Sequence, residues 1–260
     1  IRFYKFKLNF NRSKLIFQNI NDKKYFESIT KYYPKKISEV IVGSGIPKRY
    51  FTETSVKIFN WKNYHKNDPI PKIQFIYCAR LLLSKGIKTF LELAEIFPEY
   101  EFIVFGKRDQ DNAETISKRN LEILSARENI FIKGYKKNPL LNSKFNYPIL
   151  IVPSSYGEGM PRAILEAFSL SIPVISSFSA TCGLFTDKHL YISQNDNLKS
   201  YEITIKKLIK DYLKGFLKIK IERAYKFSTK YSEEKIVSKT MLIYEKLLNS
   251  KNTPNLIKNN

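Results

Sequence analysis

The chain has 260 residues, of which 43% are hydrophobic and 14% aromatic, and this content excludes a disordered protein because it suffices for a buried core. Two cysteines exclude a disulfide framework. A formal charge of +21 indicates attraction to nucleic acid, an anionic membrane surface or acidic substrates. The basic residues are spread along the chain, however, and the joint abundance of Lys, Ile, Asn, Tyr and Phe fits an AT-rich genome.

The compartment follows from what the sequence does not contain. No apolar run approaches the roughly 20 residues of a transmembrane helix, and charges interrupt the N-terminal stretch IRFYKFKLNF, unlike a secretory signal. Cys78 and Cys182 fit a reducing environment, and no Cys/His spacing suggests a metal site. We therefore expect a cytoplasmic protein, with weak peripheral contact to an anionic membrane as the favoured functional use of its charge.

In chain order, the first elements predict a short α/β segment. Residues 14–19 predict a buried strand, residues 22–33 a helix, and residues 37–46 a second strand that ends in a glycine turn. Residues 47–72 have no sustained period and carry three prolines, so we interpret them as a linker between domains.

Beyond the linker, strands and helices alternate regularly, which predicts a layered α/β fold with a mostly parallel sheet. Predicted strands cover residues 73–80, 100–106, 129–134, 147–155 and 172–177. Predicted helices cover residues 85–97 and 111–126, a segment that begins near Pro161, and charged stretches from about residue 195 to 249; residues 251–260 are typical of a disordered tail.

The stretch YGEGMPRAILEAFSLSIPVI, residues 156–175, opens a helix poorly for stability alone. Its preceding strand should end at the carboxyl edge of the sheet, where open α/β folds bind ligands. With Pro161 at the first helical position, the amides that follow it and the positive end of the helix dipole offer a phosphate site. Glu166, one turn further, could accept hydrogen bonds from sugar hydroxyls beside that phosphate.

A plainer explanation of Glu166 stays open. Arg162 and Glu166 are four residues apart, so a solvated salt bridge within the helix would account for both. Two glutamates eight positions apart, Glu158 and Glu166, are also common by chance.

The whole string, Glu-Gly-x-Pro followed by Leu-Glu-Ala and Pro-Val-Ile, resembles the donor-binding signature of retaining GT-B glycosyltransferases of family four. This resemblance implies that Glu158 lies against the donor sugar and that Glu166 holds the ribose hydroxyls. It further implies contacts from the backbone around Gly159, Met160 and Pro161 to the sugar, and from the Ile164 and Leu165 amides to the distal phosphate.

A second segment, CARLLLSKGI, resembles the turn of this family in which an Arg and a Lys clamp the diphosphate. The resemblance assigns these roles to Arg80 and Lys85, with Gly86 opening the next helix. Arg suits bidentate contacts to phosphate oxygens, and Lys supplies a compact charge.

Weaker matches follow in the order that the family has. The strand that ends at Gly106 resembles the next strand of the family. The strand around Gly134 resembles the one whose loop borders the nucleotide base, which makes Lys133 and Tyr135 candidates for contacts to the base. Residues 231–248 resemble the final helix that packs back across both lobes.

Departures from the family pattern are also visible. Ser171 stands where the family has Gly, so we expect a less tight turn, and residues 178–185 contain only one glycine, which alters the loop nearest the donor sugar. Neither His65 nor His189 matches the family histidine, and we expect surface or packing roles for both. No acceptor lobe is recognisable before Leu15, which suggests a fragment or trimmed product.

Together these features predict an α/β chain of GT-B type with a Rossmann-like parallel sheet preceded by a partial first lobe. The domains expected are residues 1–66, the end of an acceptor lobe and linker; residues 67–250, the donor-binding domain with its closing helix; and the tail. The expected activity is sugar transfer with retention from a nucleoside diphosphate sugar, by resemblance UDP-linked, to a glycan or lipid-linked acceptor in bacterial surface polysaccharide synthesis, without a cofactor or a required metal.

Three alternatives remain at this point. One is a truncated remnant that at most binds nucleotide, motivated by the unrecognised acceptor lobe. Another is a nucleic-acid binder, which rests on charge alone and has no accompanying motif. The last is a GT-B epimerase, against which the paired glutamates argue.

Overall fold

The computed structural model describes residues 13–29, 37–51, 71–157 and 159–249. The described strands are β1 Leu15–Phe17, β2 Ser38–Val40, β3 Gln74–Cys78, β4 Glu101–Phe105, β5 Ile130–Gly134, β6 Pro148–Val152, β7 Val174–Ser177 and β8 Tyr191–Ser193. The described α-helices are α1 Ile20–Ile29, α2 Ile87–Ile96, α3 Lys118–Leu124, α4 Pro139–Asn142, α5 Arg162–Ser169, α6 Leu198–Leu213, α7 Phe216–Ser228 and α8 Glu233–Asn249.

The main sheet has the strand order β5-β4-β3-β6-β7-β8, and each neighbouring pair is parallel. This order is that of a doubly wound Rossmann sheet. In such a sheet the first three strands are added toward one edge, and the fourth strand returns to the other side of the first. The expected Rossmann-like fold is therefore confirmed. The reversal lies between β3 and β6, and the crevice outside their carboxyl ends is where such a fold binds its ligand.

The core forms because the strands are nearly continuous apolar runs and the flanking helices are amphipathic. In α2 the buried residues Ile87, Phe90, Leu91 and Ala94 recur at helical spacing and cover the sheet. Phe75 on the central strand β3 contacts the rings of the neighbouring elements, including Phe102 at 5.0 Å between centroids. Strands buried on both faces are expected where helices cover both sides of a parallel sheet.

The N-terminal segment, residues 13–29 and 37–51, carries the small parallel pair β1 and β2, with α1 between them in sequence. It is hydrogen-bonded to residues at the start of the C-terminal helix α8. The Ile46 amide donates to the Tyr231 carbonyl at 2.9 Å, and the Glu233 amide donates to the Ile46 carbonyl at 2.9 Å. Ile41 packs with Ile236 and Ile243 of α8 in a separate small core.

One predicted helix was wrong over most of its length. Helix α3 covers Lys118–Leu124, whereas the prediction began at residue 111. The Ser117 side chain caps α3 by accepting the Asn120 amide at 3.1 Å, so the helix begins after it. The residues before Ser117 form turns that hydrogen-bond to another loop, and these tertiary contacts override local helix propensity.

Smaller differences concern short elements. Strand β8 was not predicted, because three residues are too few to show a period. Lys48–Phe51, predicted as linker, forms a 3-10 helix whose Tyr50 is buried in the main core. The predictions for residues 52–70, including His65, for the end of the first helix and for the tail lie outside the described residues.

No helix within the described ranges is long and apolar enough to cross a membrane.

Candidate functional site

Two adjoining cavities open at the carboxyl edge of the sheet, at the switch point between β3 and β6. Their volumes are about 280 and 330 Å³, and they share Arg80 and the first residues of α5, so they form one cleft. Of the predicted site residues, Arg80 and Arg162 line both cavities, Lys85 and Pro161 line the first, and Tyr135 and Glu166 line the second. The fold thus brings together residues from both sequence motifs, which are separated by about eighty positions.

Arg80 follows β3 and is held by its backbone. Its carbonyl accepts the Tyr77 hydroxyl at 2.8 Å and the Leu82 amide at 2.8 Å. Its side chain is 55% exposed, and its guanidinium donates through Nη1 to Asp109 Oδ2 at 2.8 Å. Arg80 therefore presents a fixed backbone and a side chain that reaches the cleft.

Lys85 ends the short 3-10 helix Leu83–Lys85, immediately before the left-handed Gly86. Its Nζ lies 4.6 Å from the centre of the Tyr156 ring, which places the ammonium group over the aromatic face. The Ser155 amide donates to the Ser84 carbonyl at 2.9 Å, so the loops after β3 and β6 are joined next to Lys85. The positive charge of Lys85 is thereby kept at the β6 side of the cleft.

Helix α5 begins at Arg162, and Pro161 is its N-cap with extended backbone, so the prediction of Pro161 at the first helical position was wrong by one residue. An α-helix that starts here leaves the Arg162 and Ala163 amides without acceptors inside the helix. The Ile164 amide donates to the Pro161 carbonyl at 3.1 Å, and the side chains of Ile164 and Leu165 are buried in the core. The cleft accordingly meets the first turn of α5 at Arg162 and Ala163.

Glu166 lies one turn into α5 and its side chain is only 13% exposed. Its Oε1 accepts from Arg162 Nε at 2.7 Å, so the salt bridge considered from the sequence does form. The carboxylate nevertheless lines the cleft, and it raises the pKa of Tyr50 and of the Cys78 thiol, for both of which burial is the larger cause. Glu166 thus serves as a helix ion-pair partner and faces the cavity as well.

Gly159 and Met160 are covered by the N-terminal segment. Asn19, which is 3% exposed, donates from Nδ2 to the Gly159 carbonyl at 2.7 Å. A Cβ added at Gly43 would lie 3.0 Å from Met160 Cγ, so these two residues are packed together. The loop before α5 is therefore fixed by residues that precede the sheet domain in sequence.

The strand that ends at Gly134 borders the second cavity. Gly134 has a φ of 67° and its carbonyl accepts the Gly106 amide at 2.9 Å, which ties the ends of β4 and β5 together. Tyr135 is 72% exposed and lines the same cavity as Glu166, and an exposed aromatic ring can stack on a flat ligand. Glu158 lies outside the described residues.

Three residues near the site were missed by sequence reasoning. They are Asp109, which pairs with Arg80; Asn19, which holds the loop before α5; and Tyr50, which faces Glu166. None has a local motif, because each meets its partner across a long separation in sequence.

The turn after α5 corrects another expectation. Ser171 has a φ of 59°, and its amide and that of Ile172 close the turn by bonds to Phe168 and Ala167 at 3.0 and 2.8 Å. The predicted loosening was therefore wrong: the serine adopts the left-handed conformation that a glycine would favour. In residues 178–185, Cys182 and Gly183 are both left-handed, with φ of 56° and 64°.

The remaining candidate side chains are structural. Within the described ranges Cys78 and Cys182 form no disulfide, and Cys78 packs against the core while also lining the cleft. His189 lies 4.5 Å from the Phe227 ring centre, and burial lowers its pKa. Among the described residues, no group of three or more His, Cys, Asp or Glu could hold a metal ion.

A family model described as glycosyl transferases group 1 matches residues 61–227, more than half of the chain. The chain belongs to this family. The match spans the sheet domain and both predicted motifs, in agreement with the resemblance drawn from Arg80, Lys85 and the glutamate string.

Two curated relatives of this group 1 chain are also glycosyltransferases. An uncharacterized glycosyltransferase of Methanocaldococcus jannaschii is 35% identical over 109 residues, which are 40% of this chain and 25% of that protein. Poly(glycerol-phosphate) alpha-glucosyltransferase of Bacillus subtilis is 27% identical over 173 residues, or 64% of this chain and 25% of that protein. The chain matches about a quarter of the length of each.

Solved structures of low sequence identity share the fold. A glycosyltransferase from Rickettsia africae has a TM-score of 0.77 at 16% identity, covering 97% of this chain and 67% of that one. HepE of Anabaena in complex with UDP has a TM-score of 0.70 at 14% identity, covering 90% of this chain and 64% of that one. These likenesses place the group 1 chain among GT-B folds.

Proposed function

We propose that this chain forms the donor site of a glycosyltransferase that transfers a sugar from a UDP-sugar, with retention, to a hydroxyl group of a glycan or lipid-linked acceptor. The observation that carries the proposal is the cleft at the switch point of the sheet. Arg80, Lys85, the start of α5 and Glu166, which come from two separate motifs, line this one cleft.

The charges suit a diphosphate leaving group. Sugar transfer from a nucleoside diphosphate places growing negative charge on the diphosphate, and fixed positive groups stabilise it. Arg80, Lys85 and the N-terminal end of α5 supply that charge from the protein, so we propose no required metal. Chelation with EDTA should then leave transfer unaffected.

Glu166 and Tyr135 fit the nucleoside. A carboxylate accepts hydrogen bonds from the two ribose hydroxyls, and an exposed tyrosine can stack on a base. Glu158 and the backbone at Gly159 and Met160 would then face the donor sugar. UDP as the nucleotide is supported by the UDP complex of HepE, and a polymeric acceptor by the Bacillus relative, whose name specifies poly(glycerol-phosphate).

The setting proposed is bacterial surface polysaccharide synthesis at the cytoplasmic face of the membrane. The charge of +21 would favour an anionic acceptor or lipid surface there. Binding to vesicles that contain anionic lipid, and absence of binding to neutral ones, would support this setting.

Calorimetric titration with UDP tests the donor site. Glu166→Ala should weaken UDP binding by about tenfold or more, because it removes a charged acceptor from buried hydrogen bonds to the ribose. Glu202→Ala is the matched control, because Glu202 is also a helical, ion-paired glutamate, with its side chain 15% exposed and partners at Lys199 and Lys206.

The Glu202→Ala control separates a role of Glu166 in binding the ribose from a role as the ion-pair partner of Arg162 alone. If Glu166 serves only as the partner of Arg162, both variants will lose a little stability and neither will lose affinity for UDP. No measurable binding of UDP or GDP to the unmodified chain would contradict the proposed function itself.

The alternative of a chain that binds nucleotide without turnover makes the same binding prediction. A sugar-transfer assay with the natural acceptor distinguishes the two, since turnover would exclude a chain that only binds nucleotide.

A further inference from the structure

The segment of residues 107–117, whose second half was predicted as the start of a helix, lies along the loop that carries Arg80 and Lys85. The Leu81 amide donates to the Lys107 carbonyl at 3.1 Å, and the Ile116 amide donates back to the Leu81 carbonyl at 3.0 Å. The Leu83 amide donates to the Glu114 carbonyl at 2.8 Å, and Leu82 and Thr115 form an antiparallel bridge. We call residues 107–117 the acidic loop, since Asp109, Asp111 and Glu114 lie on it.

The acidic loop is held by its own hydrogen bonds as well. The Asp109 carbonyl accepts the Asn112 amide at 3.0 Å and the Thr115 hydroxyl. The Glu114 amide donates to the Asn112 side-chain oxygen at 2.9 Å, and the Ser84 hydroxyl donates to the Glu114 carboxylate. Moving the Asp109 backbone away from Arg80 would break its carbonyl bonds to Asn112 and Thr115 together. The loop therefore holds Asp109 in a fixed position.

Asp109 forms an ion pair with Arg80, which lines the cleft. The 2.8 Å bond joins Asp109 Oδ2 to Nη1 of Arg80, whose side chain is otherwise half-exposed. An exposed arginine without a partner samples many rotamers, and ordering it on ligand binding would cost entropy. A guanidinium has five N–H donors, so one bond to Asp109 leaves donors for phosphate oxygens.

We propose that Asp109 is a positioning residue, which the acidic loop fixes in place so that Arg80 is oriented toward the donor diphosphate before the donor arrives. This inference rests on the proposed function, because it assigns a role to Asp109 in that same site. It goes beyond the two sequence motifs, neither of which includes residues 107–117.

Whether removing the Asp109 charge weakens or tightens diphosphate binding separates this role from simple electrostatics. The negative charge of Asp109 repels a diphosphate, so removing it would tighten binding if charge alone mattered. Positioning predicts the opposite, because Arg80 loses its orientation. A purely structural role predicts a lower melting temperature with unchanged affinity.

The experiment is calorimetric titration of UDP into five forms of the chain: unmodified, Asp109→Asn, Asp109→Glu, Arg80→Ala and the Asp109→Asn, Arg80→Ala double variant. We expect Asp109→Asn to weaken binding about three- to fivefold, the range that an exposed ion pair can supply. Asp109→Glu should restore part of the affinity. In the Arg80→Ala background, Asp109→Asn should weaken binding no further, because its effect passes through Arg80.

Asp111→Asn is the matched control, since it removes the same charge two positions further along the exposed part of the loop. It should leave the affinity unchanged. Tighter binding by Asp109→Asn, or an equal loss with and without Arg80, overturns the positioning role. Failure of the unmodified chain to bind UDP overturns the proposed function and this inference with it.

Discussion

Two buried tyrosines near the cleft differ in what their hydroxyl groups meet. Tyr77, 1% exposed, donates to the Arg80 carbonyl at 2.8 Å. Tyr50 is fully buried, and its hydroxyl makes no hydrogen bond of normal geometry with any described residue, although Glu166 is close enough to help burial raise its pKa. A buried hydroxyl that lacks a partner destabilises a protein, whereas a paired one stabilises it modestly.

The pair yields a prediction about stability. Tyr50→Phe should leave the free energy of unfolding unchanged or raise it by up to about 1 kcal/mol, because no hydrogen bond is lost. Tyr77→Phe should lower it by about 1 kcal/mol, because the hydrogen bond from the Tyr77 hydroxyl to the Arg80 carbonyl is lost. Urea denaturation followed by circular dichroism measures both, and a larger loss for Tyr50→Phe than for Tyr77→Phe would refute this assignment.

At this scale, sequence reasoning found the residues whose roles a local motif defines. Arg80, Lys85 and Glu166 each stand at a fixed offset from a strand end or helix start, and they do converge on one cleft. Asp109 and Tyr50 could not be found in this way, because their significance comes from a partner 29 residues away in one case and from a distant helix in the other.

The turn that carries Lys85 into α2 depends on a glycine in two ways. Gly86 has a φ of 73° and is both the C-cap of the 3-10 helix and the N-cap of α2. A Cβ at this position would lie 2.1 Å from the Pro153 carbonyl oxygen, so the close approach of the loops after β3 and β6 requires glycine.

Gly86→Ala should therefore lower the free energy of unfolding by about 3 kcal/mol or more, because backbone strain and a clash act together. Gly215→Ala is the control, since Gly215 has a φ of 76° but open space around its Cβ position. That variant should cost about 1 kcal/mol from the left-handed backbone alone. Equal losses in thermal or urea denaturation would show that the contact with Pro153 has no energetic importance.

Elements were predictable where an apolar period runs for five residues or more. The central strands and α2 were found close to their observed ends, but the helix predicted from residue 111 was wrong because residues 109–116 bond to residues 81–83 instead. Ser171 is a second case, in a turn, where a prediction from local sequence was wrong. Its left-handed backbone belongs to the hydrogen-bonded turn between α5 and β7, which a substitution rule based on residue type does not represent.

For the whole molecule, the alternation of strands and helices predicted a parallel sheet, and the strand order places the crevice between β3 and β6. Sequence alone did not show how the N-terminal segment closes against this domain. Asn19 bonds to Gly159, and Ile46 is held between Tyr231 and Glu233, so this segment supports the loop before α5 from outside the sheet. These contacts join residues more than 130 positions apart, a separation that no local pattern can encode.

The central claim, that the cleft at the switch point binds the nucleotide of the donor, is tested most directly by nuclear magnetic resonance with UDP. Titrating UDP into the isotope-labelled chain should shift the amide resonances of residues 79–86, 134–136 and 162–166, which line or border the cleft. Resonances of α7 and α8, away from the cleft lining, should stay in place. Saturating UDP that leaves the cleft resonances unchanged, or that shifts only residues elsewhere, would contradict the account.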